Sequence, residues 1–274
     1  TIIGASIFVQ PSLVSGAVPS VSGMLLVWAV AGALTLIGAL VTAELASAFP
    51  GTGGVYVFLR ESYSPAVAFL WCWAMFWSMH TGIIAAIATV CARYVGFFVP
   101  LGNTGVRVVA IGAILVLSAV NYVGVRYGTA VQTTFTIIKV AAVALIAIAG
   151  FVAPHRVPAM ADISTPPFVP SLRALVAATV AGLFAFGGWH MVTYTGDETV
   201  DARRTIPRAL LIGTLAVTAS YIAVNAAYLA VLSPAAVASS NRVAADFADI
   251  VFGNGGAAAI SALRRRSASV PHGS

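Results

Sequence analysis

Two glycine-bearing interruptions stand inside helix-length apolar segments: Gly4-Ala5-Ser6-Ile7-Phe8 and Phe184-Ala185-Phe186-Gly187-Gly188-Trp189. A helix broken by glycine leaves N–H and C=O groups without intrahelical partners. In hydrocarbon such groups persist only where they line a protein cavity. At the first break the free N–H groups before Ile7 and the helix dipole suit a carboxylate, and the Ser6 hydroxyl adds a donor. At the second, carbonyls freed around Gly187-Gly188 suit an ammonium, with Phe184, Phe186 and Trp189 as walls for a side chain. Together the breaks would hold a zwitterion. Matched interruptions in the two halves of a membrane chain point to a substrate site near the bilayer midplane. The competing reading of the first break is a Gly/Ser notch that lets helices approach. For the second it is a set of aromatics facing core or lipid.

Ionisable groups near these breaks are few. Lys139 is the only lysine and sits mid-helix in Thr134-Phe135-Thr136-Ile137-Ile138-Lys139. It lies roughly 13 Å along its helix at ~1.5 Å per residue. An ionisable group at that depth is costly and marks function. It would replace a bound cation or carry a proton; the alternative is snorkelling to the interface. His190 follows Trp189 directly, and His80 lies in an earlier apolar segment. Each is either a hydrogen-bonding residue or a proton relay. Glu44 and the Asp197-Glu198 pair fall near segment ends and read as structural or gating charges. Cys72 and Cys91 share one apolar segment and imply neither a metal site nor a disulfide framework. No His-Glu-x-x-His, Gly-x-Ser-x-Gly or phosphate loop occurs, so neither enzyme chemistry nor a cofactor is expected.

Composition fixes the solvent. Of 274 residues, 60% are hydrophobic and 8% charged, against about 25% charged in an ordinary soluble domain. Mean hydropathy is +0.98. The net charge of +6 comes from arginines scattered singly between apolar runs. That pattern suits anionic lipid headgroups and not nucleic acid. A span needs about 20 predominantly apolar residues. The segments are 1–18 (the distal part of a first helix), 23–48, 66–99, 107–123, 130–152, 172–194 and 208–232, with an eighth starting near Gly255. Pro50-Gly51-Thr52-Gly53-Gly54 and Pro100-Leu101-Gly102-Asn103 are turns. A five-proline linker runs from Pro154 to Pro170. The expectation is an all-α integral membrane protein of about seven to eight spans, with residues 1–263 as one domain.

The ends are irregular. The chain opens inside a helix, so its true N-terminus is expected to lie upstream. Gly255–Leu263 is apolar and is followed by Arg264-Arg265-Arg266. Nine to eleven helical residues reach only about 16 Å, roughly half a hydrocarbon core. Residues 264–274 therefore read as an aberrant polar tail from a slipped reading frame. Gene sequencing without a long apolar continuation in another frame would exclude that. Arginines divide five to five between the two sides and leave orientation open. The cluster Arg203, Arg204 and Arg208 favours a cytoplasmic loop.

The residues resemble those of the amino acid–polyamine–organocation superfamily. Ile3-Gly4-Ala5-Ser6-Ile7-Phe8-Val9-Gln10-Pro11 is similar to its helix 1 motif. Ala43-Glu44-Leu45 with Phe49-Pro50-Gly51-Thr52-Gly53-Gly54-Val55-Tyr56 is similar to the end of helix 2. Phe184 to Trp189, then Arg204-Thr205-Ile206-Pro207, resembles helix 6 and its loop. Val120-Asn121-Tyr122 through Lys139, and Val243 to Phe247, are similar to the L-type amino acid transporter branch. The resemblance implies a LeuT-type fold of twelve helices built as a five-plus-five inverted repeat, present here in part. It implies amino acid transport in a multi-pass plasma membrane protein, often as sodium-independent exchange. By position, Ile3, Ala5 and Ser6 would meet the substrate carboxylate, with Gly4 and Ile7 as further substrate-binding residues of the same break. Phe184 would gate and Gly187 would meet the amine, with Gly188 and Trp189 as further substrate-binding residues. Lys139 would stand near the vacated sodium site. Two departures, Ser6 for the usual Gly and His190 for the usual Asn, bear on substrate preference and pH dependence. Val99 to Val106 lacks the cysteine that links animal members to a glycoprotein heavy chain, so no such partner is expected. A proton-coupled or cationic amino acid/polyamine antiporter, and a truncated non-transporting membrane protein or sensor, are the alternatives.

Overall fold

A computed structural model describes residues 3–99, 101–123, 125–152, 170–240 and 242–253. The described residues form helices and turns, with no strand among them. Local signals set the helix starts. Ser20 opens α2 (Val21–Ala48), its hydroxyl accepting from the Gly23 N–H at 3.1 Å. Ser64 and Pro65 open α4 (Pro65–Ala74), and Ser171 opens α8 (Leu172–Ala185) in the same manner. The remaining helices are α1 (Gln10–Ala17), α3 (Val55–Ser62), α5 (Thr81–Phe98), α6 (Asn103–Val123), α7 (Val125–Val152), α9 (Ala202–Val231), α10 (Pro234–Ser239) and α11 (Val243–Val251).

Six stretches among the described residues are long and apolar enough to cross a membrane. They are Val21–Ala48, Pro65–Arg93, Asn103–Tyr122, Ala130–Val152, Leu172–Thr195 and Ala202–Val231. These correspond to the second through seventh expected segments. The first is represented by a 3-10 turn, Ala5–Phe8, and the short α1. The expected eighth segment and the tail at 264–274 lie outside the described residues. Three short helices occupy stretches read from sequence as connectors or left unassigned: α3, α10 and α11. The third span is also not uniform. A π-helical stretch, Met75–His80, separates α4 from α5 and carries a run of ring contacts among Trp73, Phe76 and Trp77.

Packing follows membrane logic. α2 buries Ala31, Gly32, Thr35, Ala39, Ala43 and Ala46, while Leu34, Ile37, Leu40 and Val41 are exposed. Small residues let backbones approach where lipid supplies no hydrophobic drive, and large apolar ones meet the acyl chains. The inward stripe of α2 lies along α9. A Cβ at Gly32 would collide with the Thr218 side chain of α9. The principal core gathers α1, α2, α8 and α9, with Val237 of α10 and Phe247 of α11 closing one end. α5 and α6 form a second pair through Ala88, Ala92 and Ala110.

α7 leans on α9 at an equally close point. A Cβ on Gly150 would lie 2.9 Å from the Ala227 Cα and 3.0 Å from its carbonyl oxygen. Both are backbone atoms and cannot rotate away. Gly150→Ala is therefore expected to destabilise by about 1–3 kcal/mol through overpacking. A thermal-unfolding midpoint in detergent equal to that of the parent protein would contradict this packing.

Candidate substrate site

The first break begins at Gly4, in extended conformation (φ −127°, ψ −165°). Ala5–Phe8 then winds as a 3-10 turn, and the Val9 N–H donates to the Ser6 carbonyl at 3.1 Å. α1 starts only at Gln10, with Pro11 in its first turn. Proline fits there because the early N–H groups of a helix have no intrahelical acceptor. The chain is thus non-α-helical from Gly4 through Val9.

The second break ends α8 at Ala185. The Phe186 N–H donates to the Leu183 carbonyl at 3.1 Å, and the Gly187 N–H to Phe184 at 3.2 Å, tightening the last turn. Gly188 then takes φ +94°, a conformation that a side chain disfavours. Beyond it, Trp189–Thr195 runs as a 3-10 helix, the lower half of the sixth span. The Ala185 carbonyl left over by the break accepts from the Tyr221 hydroxyl of α9 at 3.0 Å.

The two breaks lie side by side. The 3-10 turn at Ala5–Phe8 packs on α8. Ile7, Ala185 and Phe186 share one buried cluster with Trp28 and Tyr221, and Ile3, Phe8 and Leu183 pack around it. Ring centroids of Phe186 and Tyr221 are 5.0 Å apart, and those of Trp28 and Tyr221 are 5.6 Å apart. A cavity of about 570 Å³ opens beside the breaks. Ile3 and Trp189, one residue from each broken segment, line it together with Lys139, Asn121, Gln132 and Thr214. Thr214 is fully buried, and its hydroxyl has no hydrogen-bond partner among the described residues.

The expected site residues separate into groups. Ile3, Trp189 and Lys139 reach the cavity. Ile7 is fully buried in the core instead. Gly4, Ser6, Gly187 and Gly188 form the backbone of the breaks outside the cavity wall, and Ala5 belongs to the same 3-10 turn. His190 packs edge-on between Trp189, at 5.6 Å, and Tyr194, at 6.0 Å. Phe184 is 66% exposed on the outer side of α8, whereas Phe186, two residues on, is the buried aromatic.

Sequence reasoning passed over Tyr221, Asn121, Gln132 and Thr214. One signal was available: Tyr221, Asn225 and Tyr228 recur at i, i+4 and i+7 in the apolar C-terminal half of α9. That spacing puts three polar side chains on one face, and all three are buried.

Tyr221 connects this face to the second break. Tyr221→Phe keeps the ring packing but strands the Ala185 carbonyl in a dry core. A cost of about 1–3 kcal/mol is expected for the unsatisfied acceptor. Chemical or thermal denaturation in micelles that ranks Tyr221→Phe with the parent protein would contradict the role given to this hydrogen bond.

The family model described as amino acid permease matches residues 1–263. The b(0,+)-type amino acid transporter 1 of Homo sapiens is 36% identical over 264 residues, covering 92% of this chain and 53% of that protein. The Asc-type amino acid transporter 1 of Mus musculus is 34% identical over 262 residues, with 92% and 49% covered. The large neutral amino acids transporter small subunit 2 of Homo sapiens is 34% identical over 268 residues, again with 92% and 49% covered. The chain spans about half the length of these curated relatives. With six membrane-length stretches among the described residues, two adjacent helix breaks and a family match over residues 1–263, the chain belongs to the amino acid permease family.

Proposed function

We propose that the protein containing this chain moves amino acids across the plasma membrane by alternating access. The observation carrying this reading is the juxtaposition of two non-helical breaks in a family of amino acid permeases. Neutral L-amino acids, by exchange or uptake, are the substrate class the chemistry favours. No acidic side chain stands at either break to hold a cationic side chain. Relatives named for neutral amino acids support the same choice.

In this reading the substrate carboxylate sits against the N–H groups at Gly4 to Ser6, with the Ser6 hydroxyl as a further donor. The substrate ammonium meets carbonyls of the second break around Gly187. Trp189 bounds the side-chain pocket, whereas Phe184, exposed on the outer side of α8, is given no contact with the substrate. Lys139 supplies a fixed positive charge beside the cavity, in the place a coupling cation would otherwise take. Its position, with His190 behind Trp189, is also what a proton-coupled carrier would require. Val99 to Val106 holds no cysteine, so no disulfide-linked partner is proposed.

Uptake of labelled neutral amino acid into proteoliposomes containing the full-length protein tests the site. Gly187→Trp fills the space where the substrate amine would lie, and uptake is expected to disappear while the protein stays monodisperse. Normal uptake by Gly187→Trp would remove the second break from the site. Uptake driven by an acid-outside gradient and lost in Lys139→Ala would select proton coupling over exchange.

A further inference from the structure

The lower half of the sixth span is fastened at its foot. The Thr52 N–H donates to the Asp197 carboxylate at 3.1 Å, and the Asp197 N–H donates to the Thr52 hydroxyl at 2.9 Å. Each residue thus gives its backbone donor to the other's side chain, across 145 positions of sequence. The backbones around this pair leave no clearance. A Cβ on Gly196 would run into the Pro50 carbonyl, and one on Gly54 into Thr193 and Tyr194. Gly196 itself has ordinary helical angles (φ −54°, ψ −53°). Space, not conformation, demands glycine there.

The same 3-10 rod also touches α2 at its other end. Trp189 lies against Gly38, where a Cβ would stand 3.0 Å from the indole ring. Seven residues of 3-10 helix, Trp189–Thr195, reach about 14 Å at ~2 Å per residue. The rod is therefore held to α2 and its following turn at both ends, with the Gly188 break at one end and the clasp at the other. Among the described residues Asp197 forms no ion pair. Its carboxylate serves as an acceptor for backbone.

We propose that Thr52 and Asp197 are positioning residues for transport, fixing the lower half of the sixth span so that the carbonyls of the Gly187-Gly188 break are held at the substrate position. This rests on the transport reading above. Neither residue touches the cavity, so their effect falls on turnover more than on recognition.

The test uses the full-length protein in proteoliposomes, with thermal unfolding in detergent as a second readout. Thr52→Val and Asp197→Ala each remove one acceptor. Each is expected to lower the maximal uptake rate roughly tenfold, with KM within about twofold, the size set by losing one net hydrogen bond of positioning. Asp197→Asn and Thr52→Ser keep an acceptor oxygen and are expected to retain near-parental rates. The double variant Thr52→Val/Asp197→Ala is expected to be no worse than the poorer single one, in rate and in melting midpoint alike. Additive losses, or full-rate uptake by Asp197→Ala, would overturn the proposal. If the parent protein transports no amino acid, the transport reading fails by itself, and the melting cycle alone then decides whether the pair is coupled.

Discussion

In hydrocarbon an unpaired carbonyl or N–H costs several kcal/mol, so a helix can unwind inside a membrane only where protein replaces the lost bonds. The second unwound stretch meets that condition through α9, and both stretches share one packed neighbour set. α9 sends the Tyr221 hydroxyl to the Ala185 carbonyl. The rings of Trp28, Phe186 and Tyr221 exclude lipid around it. Ile7 closes the first break against the same cluster. The unwound backbone is thereby kept beside a cavity and away from acyl chains.

The architecture that shields the breaks is an inside-out one. Along the middle of α2, alanine, glycine and threonine face α9, and Leu34, Ile37, Leu40 and Val41 point outward. Close backbone approach puts Tyr221 within reach of α8. Larger residues in that interface would widen the spacing and separate hydroxyl from carbonyl. Helix packing and the chemistry of the second break are one constraint viewed at two places.

The spans were legible in the sequence because length and apolar content suffice to define them, and six of the expected segments stand within six residues of their expected bounds. The breaks were legible from Gly-Ala-Ser shortly before Pro11 and from the adjoining Gly187-Gly188, whereas the lone Gly32 and Gly150 serve close packing in unbroken helices. Less could be read where the signal is not local. Thr52 and Asp197 lie 145 positions apart, and nothing in either neighbourhood names the other. Phe184 and Phe186 both precede the same break, and which one turns inward depends on how the last turn tightens. α10 has six residues, too few to display a period, although its Ser233-Pro234 start resembles that of α4. α3 is amphipathic around Phe58 but is hidden by the Gly-rich turn that precedes it.

The π-helical stretch in the third span has a consequence of its own. A wide turn accommodates one residue more than an α-turn over the same rise, and each residue rotates the helix by about 100°. Every side chain after His80 is therefore out of phase with an unbroken helix drawn from Pro65. Ala88 and Ala92 meet Ala110 of α6 in that shifted phase. Deleting a single residue between Met75 and His80 would let that stretch close into ordinary α-turns with Ala88 and Ala92 still facing α6, whereas forcing the intact sequence into one unbroken α-helix would revolve everything after His80 by more than a quarter turn and carry those alanines away from it.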